Sequence, residues 1–239
     1  MAESNSSTVS KAKTLTIFIF TILFGFILFI IPDVFFGVTK INGGKIGINL
    51  FYIALFQFFS ISLLLYASLR ILKKDFGQIG LRFVNVKKDA LLGGLFGVLW
   101  TVLQFAVIIP NTGGINRADI NGMLGMYDGS FMGTLSFIAL GVIGGGIAEE
   151  LFNRGYFINI LKGVFKNPKI GLWVSAVLSI VIFSLGHMPS SALDWFDILV
   201  PTIIYTILFI STKRLTASMV AHGIYNLTAI LLTYYIYFK

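Results

Sequence analysis

Seven apolar runs constrain this chain more than any other feature: roughly 14–32, 48–71, 89–109, 131–161, 170–187, 196–212 and 215–237. Most are close to the ~20 residues that an α-helix needs to cross a bilayer core of ~30 Å. The runs are continuous and lack the alternation of a membrane-spanning strand. Only 12% of the 239 residues are charged, against about 25% in soluble domains. The expected fold is therefore all-α: a polytopic transmembrane helical bundle of about seven spans, with eight possible.

Basic residues cluster at the ends of the runs. Arg70, Lys73, Lys74, Arg82, Lys87 and Lys88 lie after or around the second run's end, and Lys162, Lys166 and Lys169 follow the fourth. Lys213 and Arg214 follow the sixth, and Lys11 and Lys13 precede the first. With seven spans all these sites fall on one side, which the positive-inside rule makes cytoplasmic. The opposite loops carry Asp33, Asp119, Asp128, Asp194 and Asp197, alongside Lys40, Lys45 and Arg117. The N-terminus is expected in the cytoplasm and the C-terminus outside; an eighth span would upset the pattern. The net charge of +8 is thus a topological signal, and nucleic acid is not an expected partner; the lipid bilayer is.

Residues 1–13 read as a mobile polar N-terminus, and 14–239 as one transmembrane domain with its chemical core at about 131–237. The first run is too long, and too rich in Phe and Ile, for a cleaved signal peptide. Pro32 and Pro110 fall at run ends and Pro201 near the start of the sixth run, where helices tolerate proline. Residues 110–130 read as an outer loop. The chain has no cysteine, which excludes disulfides, thiolate metal sites, a cysteine nucleophile and S-acylation. No Walker loop, H-E-x-x-H or G-x-S-x-G motif is present.

Several polar residues contradict the apolar setting. Within "GGGIAEELFNRGYF", residues 144–157, lie Glu149, Glu150 and Arg154. Placed centrally and unpaired, the three would cost roughly 7–10 kcal/mol. Glu150 and Arg154 are four apart and can pair on one helical face. Glu149 is about 100° away around the helix, beside Gly144, Gly145 and Gly146. That bare surface leaves room for water, a substrate backbone or a closely packed helix.

Both histidines also lie in apolar runs: His187, four residues after Phe183, and His222, four residues before Asn226. A carboxylate and an imidazole can hold a water and remove its proton. A second imidazole and an amide can donate to the oxyanion of a tetrahedral intermediate. Alternatively Glu149, His187 and His222 could bind a divalent metal such as zinc, and the sequence does not separate the two. Buried Glu, His and Arg also build transporter relays, but no broken-helix pairs or inverted repeats support that reading.

Three patterns in order, E-E-x-x-x-R at 149–154, F-x-x-x-H at 183–187 and H-x-x-x-N at 222–226, resemble the CPBP family. This is the CAAX protease and bacteriocin-processing, or Abi, family of intramembrane endopeptidases. The resemblance covers about residues 140–230. It implies a helical bundle with a conical cavity open toward the cytosol and a metal-free glutamate mechanism. By it, Glu149 is the general base acting with His187 on water, and His222 and Asn226 are the oxyanion donors. Glu150, Arg154 and Phe183 support them. The substrate implied is a lipidated CAAX-type tail or a peptide pheromone or bacteriocin precursor. The bias toward Ile, Phe, Lys and Asn suggests an AT-rich bacterial genome, hence a bacterial cell membrane and the peptide substrates. One departure is Asn153, where relatives often carry Phe. A non-catalytic immunity or scaffold protein of the same family is the alternative.

Helix counting leaves a discrepancy. At about 1.5 Å per residue, Glu150 lies roughly 18 Å from Lys162, His222 roughly 12 Å from Arg214 and His187 roughly 27 Å from Lys169. A surface helix within 155–169, "GYFINILKGVFK" in its first part, would reconcile these depths.

Overall fold

The computed structural model describes residues 9–239. Among them seven helices are long and apolar enough to cross a membrane. They are α1 Lys11–Thr39, α2 Ile48–Ile71, α3 Val86–Asn111, α4 Phe131–Val164, α5 Pro168–Gly186, α6 Ala192–Thr212 and α7 Thr216–Phe238. No strand occurs among the described residues. Residues 1–8 of the expected mobile tail lie outside the description. The rest of that tail is ordered: the Ser10 hydroxyl accepts from the Lys13 amide and caps α1, satisfying one of the free donors of the first turn.

Two prolines sit differently from expectation. Pro32 is inside α1, which continues to Thr39, and Pro201 is well inside α6. Helices in membranes tolerate interior prolines because neighbouring helices can satisfy the backbone groups that proline frees. The 110–130 segment is also more ordered than a loop, with a short helix at Ala118–Leu124.

Successive helices alternate in direction, so the connections gather at two ends. At one end Leu215 N donates to Gly80 O at 2.9 Å, Lys11 Nζ to Phe165 O at 3.2 Å and Asn159 Nδ2 to Ile79 O at 3.2 Å. Arg214 grips Asp89 there with bonds of 2.5 and 2.8 Å. At the other end Gly47 N donates to Met126 O at 3.3 Å and Lys45 pairs with Asp33 at 3.0 Å. Arg117, itself buried, holds both Asp119 and Asp197. The first end carries the basic clusters and the second most of the aspartates.

The two halves of the bundle are built differently. The basic half is solid. Leu151, Phe152, Tyr156, Phe157, Ile158, Ile160 and Leu161 of α4 are buried, packed on α1, α2 and Phe209 of α6. The Tyr156 hydroxyl meets Ser68 Oγ at 2.6 Å, and Ser68 receives Thr21 Oγ1 at 2.9 Å. This corrects the expected surface helix: 155–161 is interior. The 34 residues of α4 span about 50 Å at 1.5 Å per residue, so the helix outruns the bilayer core without bending onto its surface.

Close helix contacts depend on glycine. α3 and α7 run parallel, and a Cβ on Gly93 would strike the Ala217 carbonyl. One on Gly97 would stand 2.7 Å from the Ala221 carbonyl. Between α4 and α7, a Cβ on Gly146 would lie 2.9 Å from Gly223 Cα. Small residues let helix backbones approach where lipid gives no hydrophobic drive to associate. The large apolar side chains left exposed, such as Phe20, Leu23 and Ile27 of α1, face outward as a lipid-contacting helix requires.

Candidate active site

The centre of the site is the place where α4 leaves regular α-helical geometry. Leu140–Glu149 and Leu151–Ile158 form π-helical turns. Such widened turns are frequent at functional sites. Across the junction the two glutamates part company. Glu150 is completely buried, whereas Glu149 is half-buried at a cavity.

Glu150 is fully engaged. Its Oε1 accepts from Arg154 Nη1 at 2.8 Å and contacts His222 Nδ1 at 3.0 Å. The Arg154 guanidinium lies 4.6 Å from the centre of the Phe183 ring and 5.8 Å from that of Tyr205. Its Nη2 donates to Thr202 O at 3.4 Å. His222 in turn stacks on Tyr205, with ring centres 4.9 Å apart. The expected Glu150–Arg154 pair is therefore present, and it extends into a network joining α4, α5, α6 and α7. Buried charges persist in such a setting only when paired and hydrogen-bonded.

The Glu149 carboxylate makes no hydrogen bond or ion pair among the described residues. It lines a cavity of about 260 Å³ together with His187, His222, Asn226, Gln57, Asp33 and Lys45. The four residues singled out from the sequence thus share one space. His187 Nδ1 is 3.0 Å from Phe183 O. A carbonyl only accepts, so Nδ1 carries the proton, and the neutral ring keeps its lone pair on Nε2. Phe183 also backs the ring, with centres 4.5 Å apart. His222 uses Nδ1 for Glu150 and leaves Nε2 toward Gly145, where a Cβ would stand 3.4 Å away. Asn226 Nδ2 donates to Gly141 O at 2.8 Å and would meet that same Gly145 Cβ at 2.6 Å. Gly145 keeps the cavity open, whereas Gly146 serves helix contact: the two functions considered for the glycine run are divided between neighbours.

Two further cavities adjoin at the histidines. One of about 230 Å³ is lined by Phe183, His187, Asp197, Tyr205, His222 and Asn226, among others. Another of about 330 Å³ is lined by His187, Met188, Asp119, Asp194 and Asp197, among others. Arg117 braces this rim. Burial works against its charge, but hydrogen bonds and the charges of Asp119 and Asp197 outweigh that and hold its pKa above the ordinary arginine value. Nearby in sequence, burial pushes the Tyr127 phenol above its usual range, and its hydroxyl donates to Ile230 O at 2.5 Å.

Among the described residues, no three His, Asp or Glu side chains gather closely enough to hold a metal ion. Glu149, His187 and His222 line one cavity without converging, so the donor set named from the sequence does not fit a metal as placed. Asn153, the departure from the family pattern, donates from Nδ2 to Glu149 O at 3.0 Å and fixes the turn bearing both glutamates. Sequence reasoning missed Gln57, the amide in the middle of the second apolar run, whose Nε2 donates to Phe29 O at 3.1 Å. It also missed Tyr205, for which an aromatic in an aromatic-rich chain gives no signal.

The cavity lies in the acidic half, above the solid core and away from the basic loops. A cytosol-facing cavity and cytoplasmic basic loops were both expected. The structure puts cavity and loops at opposite ends, so the two expectations cannot hold together.

Comparison with known proteins agrees with the motifs. The chain is 35% identical over 104 residues to the UPF0177 protein YbdI of Lactococcus lactis subsp. lactis (strain IL1403). That match covers 43% of this chain and 51% of the relative, so the chain spans about half the length of the curated relative it matches. No solved structure matches. Residues 131–228, the region that carries all three motifs, match the family described as type II CAAX prenyl endopeptidase Rce1-like.

Proposed function

We propose that this protein is an intramembrane endopeptidase that hydrolyses a peptide bond without a protein nucleophile. One observation carries the reading: an unpaired carboxylate, Glu149, shares a cavity with His187, His222 and Asn226. Glu149 takes a proton from a water held also by His187 Nε2, and the hydroxide attacks the peptide carbonyl carbon. The resulting oxyanion is stabilised by Asn226 and by His222. The protonated Glu149 then gives its proton to the leaving amine as the carbon–nitrogen bond breaks. Placed acid–base groups of this kind contribute about 10²–10⁴-fold each.

His222 has a condition attached. Its Nδ1 faces a carboxylate, so Nε2 can donate only when the ring is an imidazolium. The family supports a CAAX-type protease role, and the candidate substrates are a lipidated CAAX-type tail and a peptide pheromone or bacteriocin precursor.

The test is cleavage of such peptides by purified protein, followed by mass spectrometry. Glu149→Gln and His187→Gln should each lower the rate by at least about 10²-fold with folding intact. Full cleavage by Glu149→Gln removes the assigned base. Variants that lose no cellular phenotype while the protein still inserts would instead establish the immunity or scaffold role. A chelator series run in parallel checks the metal-free route.

A further inference from the structure

The cavity and the basic loops lie at opposite ends of the bundle, and from this we infer that the site is entered from the non-cytosolic side of the membrane. The inference rests on the proposed hydrolytic site and concerns where its substrate comes from.

Three observations carry it. The first is the charge distribution. Lys11, Lys13, Arg70, Lys73, Lys74, Arg82, Lys87, Lys88, Lys162, Lys166, Lys169, Lys213 and Arg214 all belong to one end. Short loops rich in Lys and Arg are retained in the cytosol during insertion. The second is where the site's rim lies. His187 directly follows α5 at the opposite end, and the cavity that holds Glu149 is also lined by Lys45, in the connection between α1 and α2. The adjoining cavity is lined by Ala118 and Asp119 of the α3–α4 connection and by Met188–Ser190. The third is what lies between the site and the basic end. Below Glu150 the interior is closed by Phe152, Tyr156, Phe157, Ile158 and Leu161, packed against α1 and α2. A peptide backbone has no hydrogen-bonding partners in such a core and would leave its polar groups unsatisfied. A peptide approaching from the acidic end meets an exposed His187, the ion pair of Asp33 and Lys45, and Gln57 before reaching Glu149.

The substrate class follows. It is a peptide segment presented at the outer leaflet, such as an exported or emerging peptide, and not a lipidated tail on the cytosolic leaflet. The aspartates at the rim, Asp119, Asp194 and Asp197, further suit a segment without acidic residues beside the scissile bond.

The absence of native cysteine permits a direct test. Met188→Cys and Phe131→Cys place a thiol on exposed positions at the cavity end, and Phe83→Cys on an exposed position at the basic end. A membrane-impermeant maleimide is applied to intact protoplasts and to permeabilised ones. Labelling of Met188→Cys and Phe131→Cys in intact protoplasts, with Phe83→Cys labelled only after permeabilisation, supports the inference. The reverse pattern overturns it. A peptide cleaved by the purified protein is then supplied as a quenched fluorogenic probe to intact protoplasts and to inside-out vesicles. Cleavage confined to protoplasts supports entry from outside, and cleavage confined to vesicles overturns it. If the labelling is as expected but no peptide is cleaved in either preparation or in detergent, the hydrolytic reading falls while the assigned orientation of the cavity stands.

Discussion

His222 Nδ1 stands 3.0 Å from Glu150 Oε1, the same oxygen that receives Arg154 Nη1 at 2.8 Å. One oxygen thus ties a candidate oxyanion donor to a buried ion pair, while the adjacent glutamate stays free at the cavity. The neighbours should therefore respond to neutralisation in opposite ways. Glu150→Gln leaves Arg154 as an uncompensated buried cation and should lower stability by about 3–5 kcal/mol, with activity falling as a consequence. Glu149→Gln breaks no bond and should leave stability within about 1 kcal/mol while abolishing cleavage. Thermal unfolding in detergent beside a cleavage assay separates the two. Equal destabilisation by both substitutions would contradict the division of labour.

Gly145 and Gly146 make a second contrast between neighbours. A methyl at 145 would press on Asn226 Nδ2 at 2.6 Å and approach His222 Nε2 at 3.4 Å. Gly145→Ala should reduce cleavage strongly and stability only modestly, because the obstruction falls on side chains at a cavity. A methyl at 146 meets the α7 backbone at Gly223, 2.9 Å away. Gly146→Ala should cost about 1–3 kcal/mol as overpacking forces the helices apart. Gly94→Ala is the control, since nothing stands within 4 Å of its Cβ. A Gly145→Ala protein with normal turnover would show that this wall of the cavity is not used.

The spans were legible in the sequence because lipid imposes length and hydropathy on every helix. The expected run of 48–71 and the observed Ile48–Ile71 show how closely. The Glu150–Arg154 pair was legible too, since spacing by four fixes a shared helical face. What was not legible depends on tertiary packing. Residues 155–161 carry apolar side chains suited equally to a membrane surface or a protein interior, and only contact with α1 and α2 decides for the interior. The hydrogen bond from His222 to Glu150 joins residues 72 apart in sequence, beyond any local pattern. The location of His187 at the acidic rim likewise depends on α5 crossing the whole bundle, which helix counting registered only as a discrepancy in depth.

Arg117 should act as a brace for the rim. It binds Asp119 with bonds of 3.0 and 2.8 Å, Thr112 Oγ1 at 2.9 Å, and Asp197, which Gln104 also holds at 2.7 Å. Lysine keeps the charge but not the planar fork that grips two partners. Arg117→Lys should weaken this end by about 1.5–3 kcal/mol, the range for hydrogen bonds to charged groups. Amide hydrogen exchange should then rise in Ala118–Leu124 and at the start of α6, with the basic end unchanged. Unaltered exchange at both segments would remove Arg117 from this role.

Phe183 provides the last test, because it touches both the ion pair and the catalytic candidate. Its ring lies 4.6 Å from Arg154 Cζ and 4.5 Å from the His187 ring centre, and its carbonyl holds His187 Nδ1. Phe183→Leu keeps the carbonyl and an apolar side chain but removes the π face. The cation–π contact is worth about 2 kcal/mol or more when desolvated, so stability should fall by about that amount. His187 keeps its tautomer but loses the surface that fixes its ring plane, so kcat should drop while KM stays nearly constant. Phe183→Tyr retains the π face and should restore kcat if the hydroxyl is accommodated. A Leu variant that changes KM alone would place Phe183 in substrate binding and not behind His187.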